Sequence, residues 1–114
     1  MKHIIPKEGK NMVRHVILWK LKEEYTEEEK AKIKNDAKEA LEDLIDKVPT
    51  LMSIAVHVNP LPTSNCDMML DSLFEDEAGL AEYAAHPEHV AVAKNFVVPF
   101  AASRTCLDFT DDEF

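Results

Sequence analysis

Glycine is nearly missing from this chain, two residues in 114, so a flexible or collagen-like polymer is excluded and a folded domain is expected. No apolar run approaches the roughly 18 residues that a membrane span requires. Residues 1–12 lack both the hydrophobic core and the small-residue cleavage site of a secretory signal, so the chain reads as cytoplasmic. Cysteine is almost as scarce. Cys66 and Cys106 form neither a CxxC metal motif nor the dense framework of a small secreted domain, and both are expected to be reduced and structural. Basic residues are also in short supply, 13 against 22 acidic ones. The formal charge of -9 repels nucleic acid and anionic membrane surfaces, and neither is expected as a partner.

What remains is an ordinary soluble balance, 46% hydrophobic and 31% charged, at a length that suits one domain with a modest core. Residues 1–11 are polar and patternless and read as a flexible arm. Residues 13–21 alternate, with Val13, His15, Ile17, Trp19 and Leu21 on one face and Arg14, Val16, Leu18 and Lys20 on the other. Both faces are apolar at their centres, which predicts an interior strand with cover on two sides.

Thr26 followed by Glu29 has the spacing of a capping box, and Glu27 and Glu28 add negative charge where the helix dipole favours it. Ile33, Ala37, Ala40, Leu41, Leu44, Ile45 and Val48 then recur at helical steps, predicting one amphipathic helix over about 26–47 whose charged face is solvated. Beyond Pro49, residues 51–59 alternate as a strand that sets Met52, Ile54, Val56 and Val58 on its apolar face. A proline-rich loop at 60–65 leads into a strand over 66–74, with Met68, Leu70, Ser72 and Phe74 on one side.

Asp76 is placed to cap a short helix with Leu80, Tyr83 and Ala84 inward, and Pro87 ends that helix near His86 and opens another. The second helix carries Val90, Ala93, Phe96, Val97 and Phe100. A strand over 103–109 and an acidic tail over 110–114 complete the chain. The order β-α-β-β-α-β defines an α+β, ferredoxin-like domain with a four-stranded antiparallel sheet, in the usual order 4-1-3-2. Helices on one face leave the other bare, and a bare apolar face is expected to pack on a second copy, forming a homodimer. The strand order also separates Cys66 from Cys106 and disfavours a disulfide between them.

The densest chemistry is Tyr83-Ala84-Ala85-His86-Pro87-Glu88-His89, a phenol and two imidazoles around one proline. With Pro87 in the first turn, His86 is the capping residue and His89 lies where the helix dipole disfavours imidazolium, leaving a neutral ring able to take a proton.

Residues 12–109 resemble the stress-responsive A/B barrel (Dabb) family of dimeric α+β barrels, through Val13-Arg14-His15-Val16-Ile17, Tyr25-Thr26, Phe74 and above all the Tyr-x-x-His-Pro-x-His signature at 83–89. In the family's best understood member, a plant cyclase that forms olivetolic acid, a tyrosine and the second signature histidine serve an aldol cyclisation. The resemblance therefore implies Tyr83 and His89 as catalytic residues. It implies a small apolar or aromatic ligand in a pocket with His15, Ile17, Trp19, Leu70, His86, Val92 and Phe96 as its walls. Bulky Trp19 departs from the pattern, as do Ala84, Ala91 and Ala93 on the helical wall.

Each of these residues has a plainer role beside the sharper one. Tyr83 reads equally as a core-edge aromatic, His86 as a cap, His89 as a bridge between helices and His15 as a satisfied interior histidine. A metal on His15, His86 and His89 lacks the helical i, i+4 pair or the clustered carboxylates such sites use, so no metal and no cofactor is expected. A non-catalytic dimeric binding protein is the alternative to a cyclase or isomerase. A cofactor-free or haem-degrading monooxygenase shares the barrel plan without a residue pattern that argues for it.

Overall fold

A computed structural model describes residues 12–111, so the arm at 1–11 and the last three residues of the tail lie outside the described residues. β1 (Met12–Leu21) alternates as its sequence requires, with Val13, His15, Ile17, Trp19 and Leu21 all buried. α1 (Glu27–Glu42) opens on the full capping box: the Thr26 amide donates to Glu29 Oε1 at 2.8 Å and the Glu29 amide to Thr26 Oγ1 at 3.1 Å. It then tightens into a 3₁₀ turn (Asp43–Asp46) instead of running on as α-helix to 47. Tighter winding moves each side chain further round the axis, which keeps Leu44 and Val48 buried but turns Ile45 out to 39% exposure.

β2 (Leu51–His57) departs from simple alternation. A bulge between Leu51 and Ser53 puts Leu51 opposite Phe74, so Leu51 is buried and Met52, expected inward, is exposed. Val56 resumes the inward row. The charged face of α1 is not wholly solvated either, because Lys38 donates to the Val56 carbonyl at 2.7 Å and Glu42 accepts from the Val56 amide at 2.9 Å. Two side chains thus satisfy the outer edge of an edge strand. Desolvation pushes the Glu42 carboxyl up, but the Lys38 and Val56 hydrogen bonds together outweigh it and hold its pKa below the ordinary value.

β3 (Met68–Phe74) buries the four residues expected. α2 (Glu77–Ala85) starts on Asp76, whose side chain accepts from the Gly79 amide at 2.8 Å, and α3 (Pro87–Phe96) starts one residue after α2 ends. Tyr83 faces inward from α2 and Leu80 is half-buried, while Ala84, expected inward, is exposed. A short 3₁₀ turn (Val98–Phe100) leads into β4 (Ala101–Asp111), which is longer than the sequence predicts. Thr110 and Asp111 belong to this strand and not to a tail, because Thr110 pairs with Val13 and Asp111 with Met12.

The sheet is antiparallel throughout, in the order β2-β3-β1-β4, and all helices lie on one side. This is the ferredoxin-like fold. The core joins Ile17, Trp19 and Leu21 of β1 to Leu41 and Leu44 beneath α1, with Phe74 of β3 and Tyr83 of α2. The molecule measures 19 Å across its thinnest direction, the depth of one helical layer on one sheet. On the far face Arg14 bridges Asp71 at 2.8 Å and Asp111 at 2.6 Å, and Leu107 and Phe109 stand open to solvent. Cys66 and Cys106 are both free.

Candidate functional site

The helix break does what its sequence predicts. His86 Nδ1 accepts from the Glu88 amide at 3.1 Å, and Pro87 takes the position whose amide is not needed. His86 is therefore a cap whose Nδ1 is already engaged. His89, in the first turn of α3, donates from Nδ1 to the Ala84 carbonyl at 3.2 Å, because a carbonyl can only accept. Its Nε2 then carries the lone pair of a neutral ring.

Burial is the main reason the His89 pKa falls below the ordinary value. The Ala84 carbonyl opposes this and the nearby charges of His15, Arg104 and His86 reinforce it. Desolvation, the chief cause, acts in the same direction as the helix dipole, which also disfavours the charged ring.

Tyr83 brings the break to the sheet. Its ring lies 4.3 Å from that of His89, 5.1 Å from Phe74 and 6.3 Å, edge-on, from His15. The side chain is only 1% exposed, and its hydroxyl has no hydrogen-bonding partner among the described residues. Burial pushes the phenol pKa far up, so the group stays protonated, able to donate but not to act as a base. The three residues singled out in the sequence, His15, Tyr83 and His89, are thus brought together.

The other proposed walls divide. Ile17, Trp19 and Leu70 are fully packed into the core, and Val92 and Phe96 of α3 lean on it half-buried. Among the described residues, three of the best-formed surface clefts measure about 350–360 Å³ each. The first, between α1 and α3, is mainly apolar and includes Tyr25, Ile33, Phe96 and Phe100. The second lies between α2 and β4, and the third beside the 60–65 loop. None of the three is lined by His15, Tyr83 or His89.

The register adds two residues that the sequence reading did not single out for a site. β4 places Asp108 opposite His15 and Cys106 opposite Ile17, on the helix-bearing face. His15 Nδ1 lies 2.5 Å from Asp108 Oδ1, where the carboxylate accepts its proton. The Cys106 thiol is 3.5 Å from the same oxygen and 3.8 Å from His15 Nδ1. Burial, aided by the Asp108 hydrogen bond and charge, raises the thiol pKa against the opposing pull of Arg104. The signal was the i, i+2 spacing of Cys106 and Asp108 on one strand, but only the pairing register shows that both meet His15.

A four-stranded antiparallel sheet in the order β2-β3-β1-β4, covered by helices on one face, defines one class, the ferredoxin-like fold. The chain belongs to the stress responsive A/B barrel domain family, whose model matches residues 13–111. It is similar to a dimeric protein of unknown function with a ferredoxin-like fold from Bacteroides fragilis, at 36% identity and a TM-score of 0.83 over 88% of this chain and 96% of that one. A Dabb family protein from Mesorhizobium loti shares the fold at 22% identity and a TM-score of 0.69, with 90% and 98% covered. So does a hydroxynitrile lyase from Passiflora edulis, at 17% identity and a TM-score of 0.71, with 92% and 97% covered. No curated protein sequence matches the chain. Among the described residues no helix is long and apolar enough to cross a membrane.

Proposed function

We propose that the protein is a small cytoplasmic homodimer that binds a compact apolar or aromatic carbonyl compound and performs base-catalysed carbonyl chemistry on it, of the cyclase or isomerase type. His89 Nε2 removes a proton next to the carbonyl, the C–H electron pair forms a new C=C bond as the carbonyl π pair moves onto oxygen, and the Tyr83 hydroxyl donates a hydrogen bond to that oxyanion. The proton returns from His89 when the new bond or isomer forms. The observation that carries this reading is the Tyr83 hydroxyl, buried beside His89 without a partner among the described residues. An unpaired buried hydroxyl costs about 1–3 kcal/mol, and a ligand oxygen would relieve that cost. The half-buried faces of Val92 and Phe96, with Ile17, Trp19 and Leu70 behind them, supply apolar walls.

The dimer reading is supported by the bare sheet face, where Leu107 is 62% exposed, and by a similar protein described as dimeric. The free thiols fit a reducing compartment. The test is a screen of phenols and β-keto compounds against wild type, Tyr83→Phe and His89→Ala. Wild type is expected to bind and turn over a β-keto compound, with turnover lost in both variants. If no compound binds, or if binding and turnover are indifferent to both changes, this site is not functional.

A non-catalytic dimeric binding protein is the second reading. It is favoured by the packing around Tyr83, whose ring is enclosed while the three clefts lie elsewhere. Binding in the α1–α3 cleft without turnover, unaffected by His89→Ala, would select it.

A further inference from the structure

We propose that His15, Cys106 and Asp108 form a binding site for a divalent transition-metal ion of the zinc type, separate from the Tyr83–His89 pair. The three side chains offer one nitrogen, one sulfur and one oxygen, and their donor atoms all lie within 4.8 Å of one another. Imidazole, thiolate and carboxylate together suit zinc better than magnesium or calcium, which take oxygen ligands.

The spacing fits an ion. With zinc bonds of about 2.0–2.3 Å, the edges of a tetrahedral site run about 3.3–3.6 Å. The Cys106–Asp108 separation is 3.5 Å and the Cys106–His15 separation is 3.8 Å, so both edges are nearly in place. The His15–Asp108 edge is shorter, 2.5 Å, because a proton now holds it. Entry of the ion replaces that hydrogen bond, and a rotation of the exposed Asp108 side chain opens the edge to the length required.

The site also has a fixed anchor and an entrance. His15 is buried on the central strand β1, and Ser72 donates to its backbone carbonyl at 3.0 Å, so the backbone that carries the imidazole is fixed by the sheet. Cys106 and Asp108 project from the uncovered strand β4, and Asp108 also lines the cleft between α2 and β4 with Val13, Leu80 and Thr110. Solvent and ions reach the oxygen donor through that cleft. Three protein ligands leave one tetrahedral position open to water or a small anion, the arrangement of exchangeable zinc sites and not of closed structural ones.

A hydrolase-like Cys-His-Asp relay is the competing use of the same three residues. Such a relay needs the thiol and the carboxylate on different ring nitrogens, and both here face Nδ1 of His15. Metal binding is balanced without any redox partner. The Cys106 thiol loses one proton to solvent, its sulfur and the Asp108 carboxylate bond the ion, and the His15 proton passes from Nδ1 to Nε2 so that Nδ1 can ligate.

The test is titration of the full chain with Zn²⁺ by calorimetry and with Co²⁺ by absorption. It uses wild type, Cys106→Ser and Asp108→Asn, two exposed positions that the fold tolerates, and His57→Ala as a control for surface histidines. Wild type is expected to bind one ion per chain, to release protons on binding, and to give a thiolate-to-cobalt charge-transfer band. Cys106→Ser should abolish the band, each ligand variant should weaken zinc at least tenfold, and His57→Ala should change nothing. Zinc affinity equal in wild type and Cys106→Ser, or a cobalt spectrum without the thiolate band, would overturn the proposal. Because the readouts are binding and spectra, they hold or fail independently of any carbonyl turnover.

Discussion

The two flanks of β1 are built in opposite ways. Toward β3 the helix-facing row is apolar in Met68, Leu70 and Phe74, with Ser72 buried among them, and the helices seal it. Toward β4 the helix-facing row is Arg104, Cys106, Asp108 and Thr110, all exposed, while the apolar Leu107 and Phe109 point to the bare face. The same alternation therefore serves two cores. One lies between sheet and helices in a single chain, and the other is the face that the proposed homodimer would cover. His15 sits on the boundary, with Tyr83 and Phe74 on the sealed side and Cys106 and Asp108 on the open one.

The largest expected effect probes the sealed flank. Phe74→Ala, at a site with no exposure and beneath the Tyr83 ring, should cost about 3–5 kcal/mol in urea unfolding. Thr110→Ala, in the exposed helix-facing row of β4, should cost no more than about 1 kcal/mol. Equal costs would mean that β4 is as well covered as β3, and the contrast would collapse. Next, Leu107→Asp should leave far-UV circular dichroism unchanged but weaken self-association by about 2 kcal/mol or more, since it buries a carboxylate in an apolar interface. Mass measurement in solution at micromolar concentration reads it. A wild type that is already monomeric there would remove the second core altogether.

A smaller effect has the opposite sign. Tyr83→Phe should stabilise the fold by about 1 kcal/mol, because it removes a buried hydroxyl that lacks a partner among the described residues and keeps the ring. Destabilisation would show that the hydroxyl is satisfied, which would take away the support for a ligand there. The smallest effect is a pH dependence. His89 has its folded pKa below the unfolded value of about 6.5, so the unfolded chain takes up the proton first. Its contribution to stability is full above that value and is lost as pH falls from it toward the folded pKa. Thermal unfolding of wild type should steepen through that window relative to His89→Gln. A matching slope in both would place the histidine in a wetter setting than its packing implies.

Much of the sealed flank is legible before folding. The capping box at Thr26 and Glu29, the Asp76 and His86 caps and the inward rows of β1 and β3 are local, because each depends on residues a few positions apart. The departures are places where distant contacts win. The bulge that turns Met52 out is set by pairing with β3, and the pull of Lys38 and Glu42 onto Val56 is set by how α1 crosses the β2 edge. The convergence of Tyr83 and His89 with His15 follows from one short break in a helical leg, so it too was within reach. The open flank was not, because the register of β4 against β1 joins residues 91 and 93 positions apart, which no local spacing encodes.

The sequence by itself determined the order of elements, the caps, the helix break at Pro87 and membership in a recognisable pattern, since these rest on backbone propensity and hydrophobic period. The tertiary structure alone decided which side chains share an environment. It put His15 between a buried phenol and an exposed thiol and carboxylate, and it left the Tyr83 hydroxyl without a partner among the described residues. The physical reason is that burial and strand register are properties of pairs of distant segments. They are fixed only when the sheet closes around β1.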